Sequence, residues 1–269
     1  VGSRPRDGHP LRTGLIGAWL FNEGAGTNFF DCVKGRHGTN TGNDLRVWDH
    51  TNKVRTPLGG VIGGSNLTIN ADADAVEIPD NADFNPGSGA WTISFWAGQL
   101  SGASGNSGVF AKDAFAGIDN GWLVYTTAVT GDVNYWDGTL GTLWMAFDAL
   151  WHHYCATRAG DGSTVTLYLD GALVTTLTDS RVMTNTTPVT LGRAGTLGNY
   201  LIGNIDVLMI WKGRELSAGD VKSLFYDPFS LFRDPVQRPR FGPAAAAAAG
   251  GGFKPYYNRG TVLVGGGIY

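Results

Sequence analysis

The stretch "TVTLYLDGALVTTL", residues 164–177, decides the class of the fold. Val165, Leu167 and Leu169 alternate with Thr164, Thr166 and Tyr168, so a strand here turns an apolar face inward and a more polar face outward. Asp170 and Gly171 then supply the positive φ that a two-residue hairpin turn needs, and strand-forming residues resume at once. This predicts an antiparallel hairpin.

The same grammar repeats on both sides of it. "LIGAWLF" (15–21), "AVEIP" (75–79), "WTISFWA" (91–97), "WLVYTT" (122–127), "HHYCATR" (152–158) and "NIDVLMIW" (204–211) are short apolar or alternating runs, separated by clusters such as "SGASGNSG" and "AGDGS". In "WTISFWA", Trp91, Ile93, Phe95 and Ala97 share one face and Thr92, Ser94 and Trp96 the other. Many short strands at regular spacing with Gly-rich turns are the mark of a sandwich or barrel. The 41 glycines, with 9 Trp, 9 Tyr and 13 Phe in 269 residues, agree. One helix is predicted in "LSAGDVKSLFYD", where Ser217 is the N-cap, Asp220 completes a capping box, and Val221, Leu224 and Phe225 form an apolar stripe.

Charge and composition narrow the partners. A net charge of −3 is too small to imply nucleic acid, and no run approaches the roughly 20 apolar residues of a membrane-spanning helix. The N-terminus "VGSRPRDGHP" has no apolar signal region, so the expectation is a soluble chain made in the cytoplasm. Cys32 and Cys155 are too few for a disulfide framework and are expected as free thiols.

After the helix the pattern stops. "DPFSLFRDPVQRPRFGP" is Pro-rich and suits extended chain hugging a surface through Phe229, Leu231, Phe232 and Phe241. A run of alanines and glycines follows, then "FKPYYNRGTVLVGGGIY", residues 253–269. From Pro228 onward Arg233, Arg238, Arg240, Lys254 and Arg259 face Asp234 alone, so a basic arm follows an acidic body. The expected organisation is an N-terminal extension over 1–13, a sandwich over 14–228, a Pro-rich segment over 229–243, and a hinge with docking arm over 244–269.

The blocks "GLIGAWLFNEGAGTNFFDCVKGRHGT", "DAVEIPDNADFNPGSGAWTISFWA", "WHHYCATRAGDGSTVTLYLDGALV" and "LIGNIDVLMIWKGRELSAGDVKSLFYDP" resemble, in sequence and order, the laminin-G-like (concanavalin A-like lectin/glucanase) jelly-roll domains. That resemblance implies an all-β, two-sheet antiparallel jelly-roll sandwich of six or seven strands per sheet, the last block pairing near the first. To this are added one short C-terminal helix and an extended C-terminal arm. "LFYDPFSLFR" also resembles the close of laminin-G-like proteins encoded by tailed phages.

Glucanases of this resemblance carry paired glutamates on one strand face. Here Glu23, Glu77 and Glu215 fall in separate blocks, Asp72 and Asp74 read as a turn entering a strand, and adjacent His152 and His153 point to opposite faces; the chain is expected to be non-enzymatic. No cofactor is required. The resemblance implies a candidate calcium site on Asn22, Glu23 and Asp206, although "KGRHG" brings Lys34, Arg36 and His37 where relatives carry Asn and Asp. Trp122, Tyr125, Trp136 and Trp144 are the candidate glycan-stacking residues.

The arm carries the preferred functional expectation. Phe253, Tyr256, Tyr257, Val262, Leu263, Val264, Ile268 and Tyr269 are apolar strand formers able to add to a neighbour's sheet edge. The expectation is a phage virion structural or decoration protein, docked onto capsid or tail proteins or onto its own copies. The alternative is a carbohydrate-binding adhesin that reads host glycans.

Overall fold

The computed structural model describes residues 4–23, 26–41, 53–58, 61–62, 67–70, 75–102, 106–112, 120–127, 130–146, 148–194 and 200–233. All belong to a compact unit, Val1–Asp234. The docking-arm residues Phe253 to Tyr269, together with Phe241, Asp72 and Asp74, lie outside the described residues.

The strands of the described residues, β1–β17 in chain order, form two large sheets and a small hairpin. The seven-stranded sheet runs β1 (Leu15–Trp19), β17 (Leu201–Lys212), β8 (Trp91–Gly102), β13 (Trp151–Arg158), β14 (Thr164–Leu169) and β15 (Ala172–Thr178), with β6 (Leu67–Asn70) also on β17. The eight-stranded sheet runs β12 (Gly141–Met145), β11 (Val133–Trp136), β10 (Trp122–Thr126), β9 (Ser107–Lys112), β16 (Val189–Leu191), β7 (Val76–Ile78), β3 (Gly38–Asn40) and β2 (Asn28–Phe29). Strands β4 (Val54–Arg55) and β5 (Val61–Ile62) pair apart from both. The named ladders are antiparallel, and the last long strand pairs with the first, Trp19 opposite Leu208. The two-residue strand β2, which widens the second sheet beyond the expected seven strands, is too short to carry a sequence period.

The opening hairpin forms as its residues dictate. Leu169 pairs with Ala172 across a turn whose residues, Asp170 and Gly171, have φ of 50° and 75°. Both angles are positive, as a type I′ turn requires. Val165 and Leu167 point into the layer between the sheets, where they join Trp91, Phe95, Phe110, Trp122 and Ile210 in one apolar core.

The seven-stranded sheet is also covered on its outer face. Leu15, Ala18, Trp96, Cys155, Met209 and Trp211 are buried there beneath α1 (Ala218–Tyr226), the N-terminal segment and Leu231. Trp96 stacks on Phe225 of α1 at 5.7 Å, and the Trp211 indole donates to the Leu11 carbonyl at 2.7 Å. Ser217 caps α1 by the expected reciprocal box with Asp220, and Val221 and Leu224 are buried. Phe229 and Phe232 pack against the same cluster. Both cysteines are free thiols, Cys155 within this layer.

Gly171 couples the hairpin to this cap. A Cβ there would lie 3.2 Å from both Lys222 Cα and Phe225 Cβ, in addition to adopting a left-handed φ. Gly171→Ala should lower unfolding free energy by about 1–2 kcal/mol, measured by urea denaturation, whereas Ala172→Gly at the exposed neighbour should cost less.

Candidate ligand-binding face

The eight-stranded sheet offers the other outer face. On β10, Trp122 and Val124 enter the core, while Leu123 and Tyr125 point away from it into a small cluster with Ala111, Ala194 and Trp136. Register extends this row across the sheet: Tyr125 lies opposite Asn134, Leu123 opposite Ala111, Ala111 opposite Thr190, Thr190 opposite Glu77, and Glu77 opposite Thr39. One end is therefore aromatic and the middle is polar.

Tyr125 and Trp136 meet edge to face, with ring centroids 6.5 Å apart. Gly141 makes room for this phenol, since a Cβ there would overlap the Tyr125 hydroxyl. Burial and the nearby Asp137 carboxylate raise the Tyr125 pKa, keeping the hydroxyl a donor at neutral pH. Gly108, the register partner of Tyr125, lies so near the Arg193–Ala194 peptide that a Cβ would overlap it too. Arg193 forms an ion pair with Glu77, both partly buried, and its Nε is buried without an acceptor among the described residues. Aromatic edge and charged pair thus share one sheet face.

Sequence placed four aromatics at this site, and two of them are core residues. Trp122 is 1% and Trp144 2% exposed; Trp122 meets Trp91 edge to face, and the Trp144 indole donates to the Tyr168 carbonyl. A ring with neither face in solvent offers no platform to a sugar, so of the four only the half-buried Trp136 remains open, with Tyr125, 9% exposed, packed against it. For Trp144 the cause is a bulge on β12: Met145 pairs with Val133 and Leu143 with Asn134, so Trp144 is the extra residue, and both Trp144 and Met145 turn toward the core.

The calcium trio is distributed as follows. Glu23 lies just beyond β1, accepting from the Phe30 amide through Oε1 at 2.7 Å, with Oε2 buried and unpartnered among the described residues. Asp206 is buried on β17, beside Val207 at φ 49° and a register shift. Asn22 is exposed. Among the described residues no three His, Cys, Asp or Glu side chains gather as metal ligands. The loop between is organised by protein groups. The Asp31 carboxylate accepts from the amides of Ala18, Val33, Lys34 and Arg36 at 2.9–3.1 Å, and Lys34 and Arg36 both pair with Asp83. Lys34 and Arg36 thus spend their charge on Asp83 rather than on Glu23 or Asp206.

The glutamates stay separate. Glu77 pairs with Arg193, Glu23 holds the Phe30 amide, and Glu215 follows β17 on the capped side, so no two glutamates flank a common space. Sequence gave no sign of the Glu77–Arg193 pair, whose members are 116 residues apart. Nor did it reveal Lys112, whose buried ammonium donates to Asp80, Asn185 and Thr187, or Arg158, fully buried and donating to the carbonyls of Gly89 and Arg181.

Residues 70–222 match the laminin-G family described as the concanavalin A-like lectin/glucanases superfamily. The chain belongs to that superfamily. By sequence, no curated protein matches this lectin-like chain. Among solved structures it is similar to Trypanosoma rangeli sialidase at 13% identity and TM-score 0.56, covering 82% of this chain and 34% of that one. The binding domain of Paraclostridial Mosquitocidal Protein 1 is 15% identical with TM-score 0.55, covering 82% of this chain and 53% of the other. Domain 4 of AbnA, an extracellular arabinanase from Geobacillus stearothermophilus solved with arabinotriose, is 17% identical with TM-score 0.54 and is covered over 97% of its length, by 78% of this chain. The lectin-like chain spans only about a third to a half of the first two. Among the described residues no helix is long and apolar enough to cross a membrane.

The adjacent histidines face opposite ways, as their positions on β13 predict, and titrate with opposite sign. His153 is fully buried beside Trp96, 2.8 Å from the Ser94 hydroxyl, and burial lowers its pKa to about 4. Burial also pulls His152 down, but hydrogen bonds from its ring to Asp170 (2.7 Å) and Asp148 (3.0 Å) outweigh that and leave its pKa raised. The unfolded chain protonates both near pH 6.5. Stability from His152 is therefore present below pH 6.5 and lost as pH rises through its raised folded value. Stability from a neutral His153 is complete above pH 6.5 and declines as pH falls toward about 4. His153→Gln should flatten the acid limb of unfolding free energy against pH by about 3 kcal/mol at pH 4, measured by urea denaturation between pH 7 and 4.

Proposed function

We propose that the sandwich is a non-catalytic carbohydrate-recognition module, reading glycan through the outer face of the eight-stranded sheet. The observation that carries this is the Tyr125–Trp136 pair sharing a face with the Glu77–Arg193 ion pair. A sugar ring presents an apolar face to aromatic carbon and hydroxyls to carboxylate and guanidinium, which is the combination assembled here. The likeness to an arabinanase domain solved with arabinotriose, and to a toxin's binding domain, supports recognition as the use of this scaffold. The reading requires no ion, since the aromatic and charged groups it uses are all side chains of the sheet face. On a glycan array in EDTA, the full chain should bind a restricted set of glycans, and Trp136→Ala should weaken that binding at least tenfold while leaving the melting temperature nearly unchanged. Uniform silence across the array, or full binding by Trp136→Ala, would sink it.

The second reading concerns where the module is mounted. The apolar, strand-forming sequence of residues 253–269 after an Ala/Gly run favours an anchor onto neighbouring proteins of a phage particle, capsid or tail, or onto further copies of this chain. A lectin-like body displayed on a virion would then act as an adhesin. Deleting residues 243–269 should abolish incorporation into particles, scored by quantitative blotting of purified virions, while glycan binding persists.

A further inference from the structure

The cap over the seven-stranded sheet leaves a cleft of about 460 Å³ between the N-terminal segment, α1 and the loop after β4. Ligand pockets commonly span about 300–1,000 Å³, so it is large enough for one ring-sized molecule. It lies on the capped side of the molecule, among elements that share no residue with the Tyr125–Trp136 face.

Its two walls differ in chemistry. One is aliphatic, from Pro10, Leu11 and Leu58, with Leu58 68% exposed. The other is a row of acceptors along α1 and the turn after it. Asp220 Oδ2 accepts from Arg214 and the Ser217 amide, which leaves Oδ1 without a donor among the described residues. Asp227 Oδ1 accepts from Arg233 and the Phe229 amide, which leaves Oδ2 likewise. The hydroxyls of Ser223 and Ser230 each give their proton to a backbone carbonyl and keep lone pairs to offer. Tyr226 adds an aromatic ring, and His9, whose Nδ1 accepts from the Leu11 amide, presents Nε2 as its protonated nitrogen.

Charge selects the class of ligand. Each aspartate already has a guanidinium partner, and burial with the nearby Arg6 lowers the His9 pKa, so the cleft is close to neutral at pH 7. An anion would meet a row of acceptors, and a cation would find both carboxylates matched. What remains is a neutral ligand with one apolar face and an edge rich in hydroxyl donors.

We propose that this cleft is a binding subsite for a neutral pyranose unit, its apolar face against Leu11 and Leu58 and its hydroxyls donating to Asp220, Asp227 and the two serines. The proposal does not rest on the outer-face reading, and the two fail separately.

The test is NMR of the full chain, methyl- and aromatic-labelled, titrated to tens of millimolar with methyl α-D-glucopyranoside, methyl β-D-galactopyranoside and methyl β-D-xylopyranoside, with ethylammonium chloride as the cationic control. At least one pyranoside should shift the Leu11 and Leu58 methyls and the Tyr226 ring, and ethylammonium should not. Ser223→Trp fills the cleft from an exposed helix position, so it should keep the native spectrum and abolish those shifts. Leu58→Ser, also at an exposed position, should weaken them several-fold, and Trp136→Ala should leave them intact. Shifts confined to the Trp136 face, cleft shifts that survive Ser223→Trp, a response to ethylammonium alone, or no response to any pyranoside would each overturn the proposal.

Discussion

The seven-stranded sheet cannot leave either face wet, and the rest of the molecule follows from that. Its central strands β17, β8 and β13 carry large apolar side chains both inward and outward: Trp91 and Phe95 toward the other sheet, Trp96, Met209 and Trp211 away from it. Exposing the outward set would leave several apolar side chains in water, each worth about 1.5–3 kcal/mol to bury. The chain answers with a second layer. The N-terminal segment crosses the sheet end, with the Arg6 amide bonded to the Leu231 carbonyl, and α1 lies over Trp96. Arg214 ties these parts together, donating to the carbonyls of Pro10 and Thr13 and to Asp220.

That cap divides the surface into two kinds of opportunity. The capped side is assembled from short pieces of different chain regions, which meet without filling all the space between them, and the cleft beside Tyr226 is the result. The eight-stranded sheet instead turns an outward row that grades from aromatic to ionic. Recognition on a regular sheet depends on alternation, because each outward residue is held by inward neighbours that are locked in the core. Tyr125 is fixed in this way between Val124 and Thr126, both buried.

Much of this was legible before any coordinates. Asp170-Gly171 announced the hairpin because few residue pairs accept two positive φ angles, and Ser217 with Asp220 announced the helix because the box satisfies its own donors. Those signals are local, so sequence carries them whole. What failed to show was everything that depends on distant chain or on broken period. Trp96 looked like a residue of the outward polar face because alternation cannot tell solvent from a second apolar layer. Trp144 was misjudged because it is itself the extra residue of a bulge on β12, which breaks the alternation that its sequence would otherwise follow. The Glu77–Arg193 pair spans 116 residues and has no local signature at all.

The buried cations complete the same argument. Arg158 and Lys112 sit in the sandwich where an apolar side chain would fit the period, yet each is surrounded by oxygens that need donors. Arg158 gathers the carbonyls of Gly89 and Arg181, which belong to loops with no ladder to join, and Lys112 does the same for Asn185 and Thr187. Loop carbonyls turned inward at a sandwich edge would cost about 1–3 kcal/mol each if left dry. A cation from the adjacent strand end removes that cost and pins the loops as it does so. Asp31 plays the mirrored part, one carboxylate collecting four loose amides. Asp31, Lys112 and Arg158 thus each fix a loop by gathering backbone groups that no ladder satisfies.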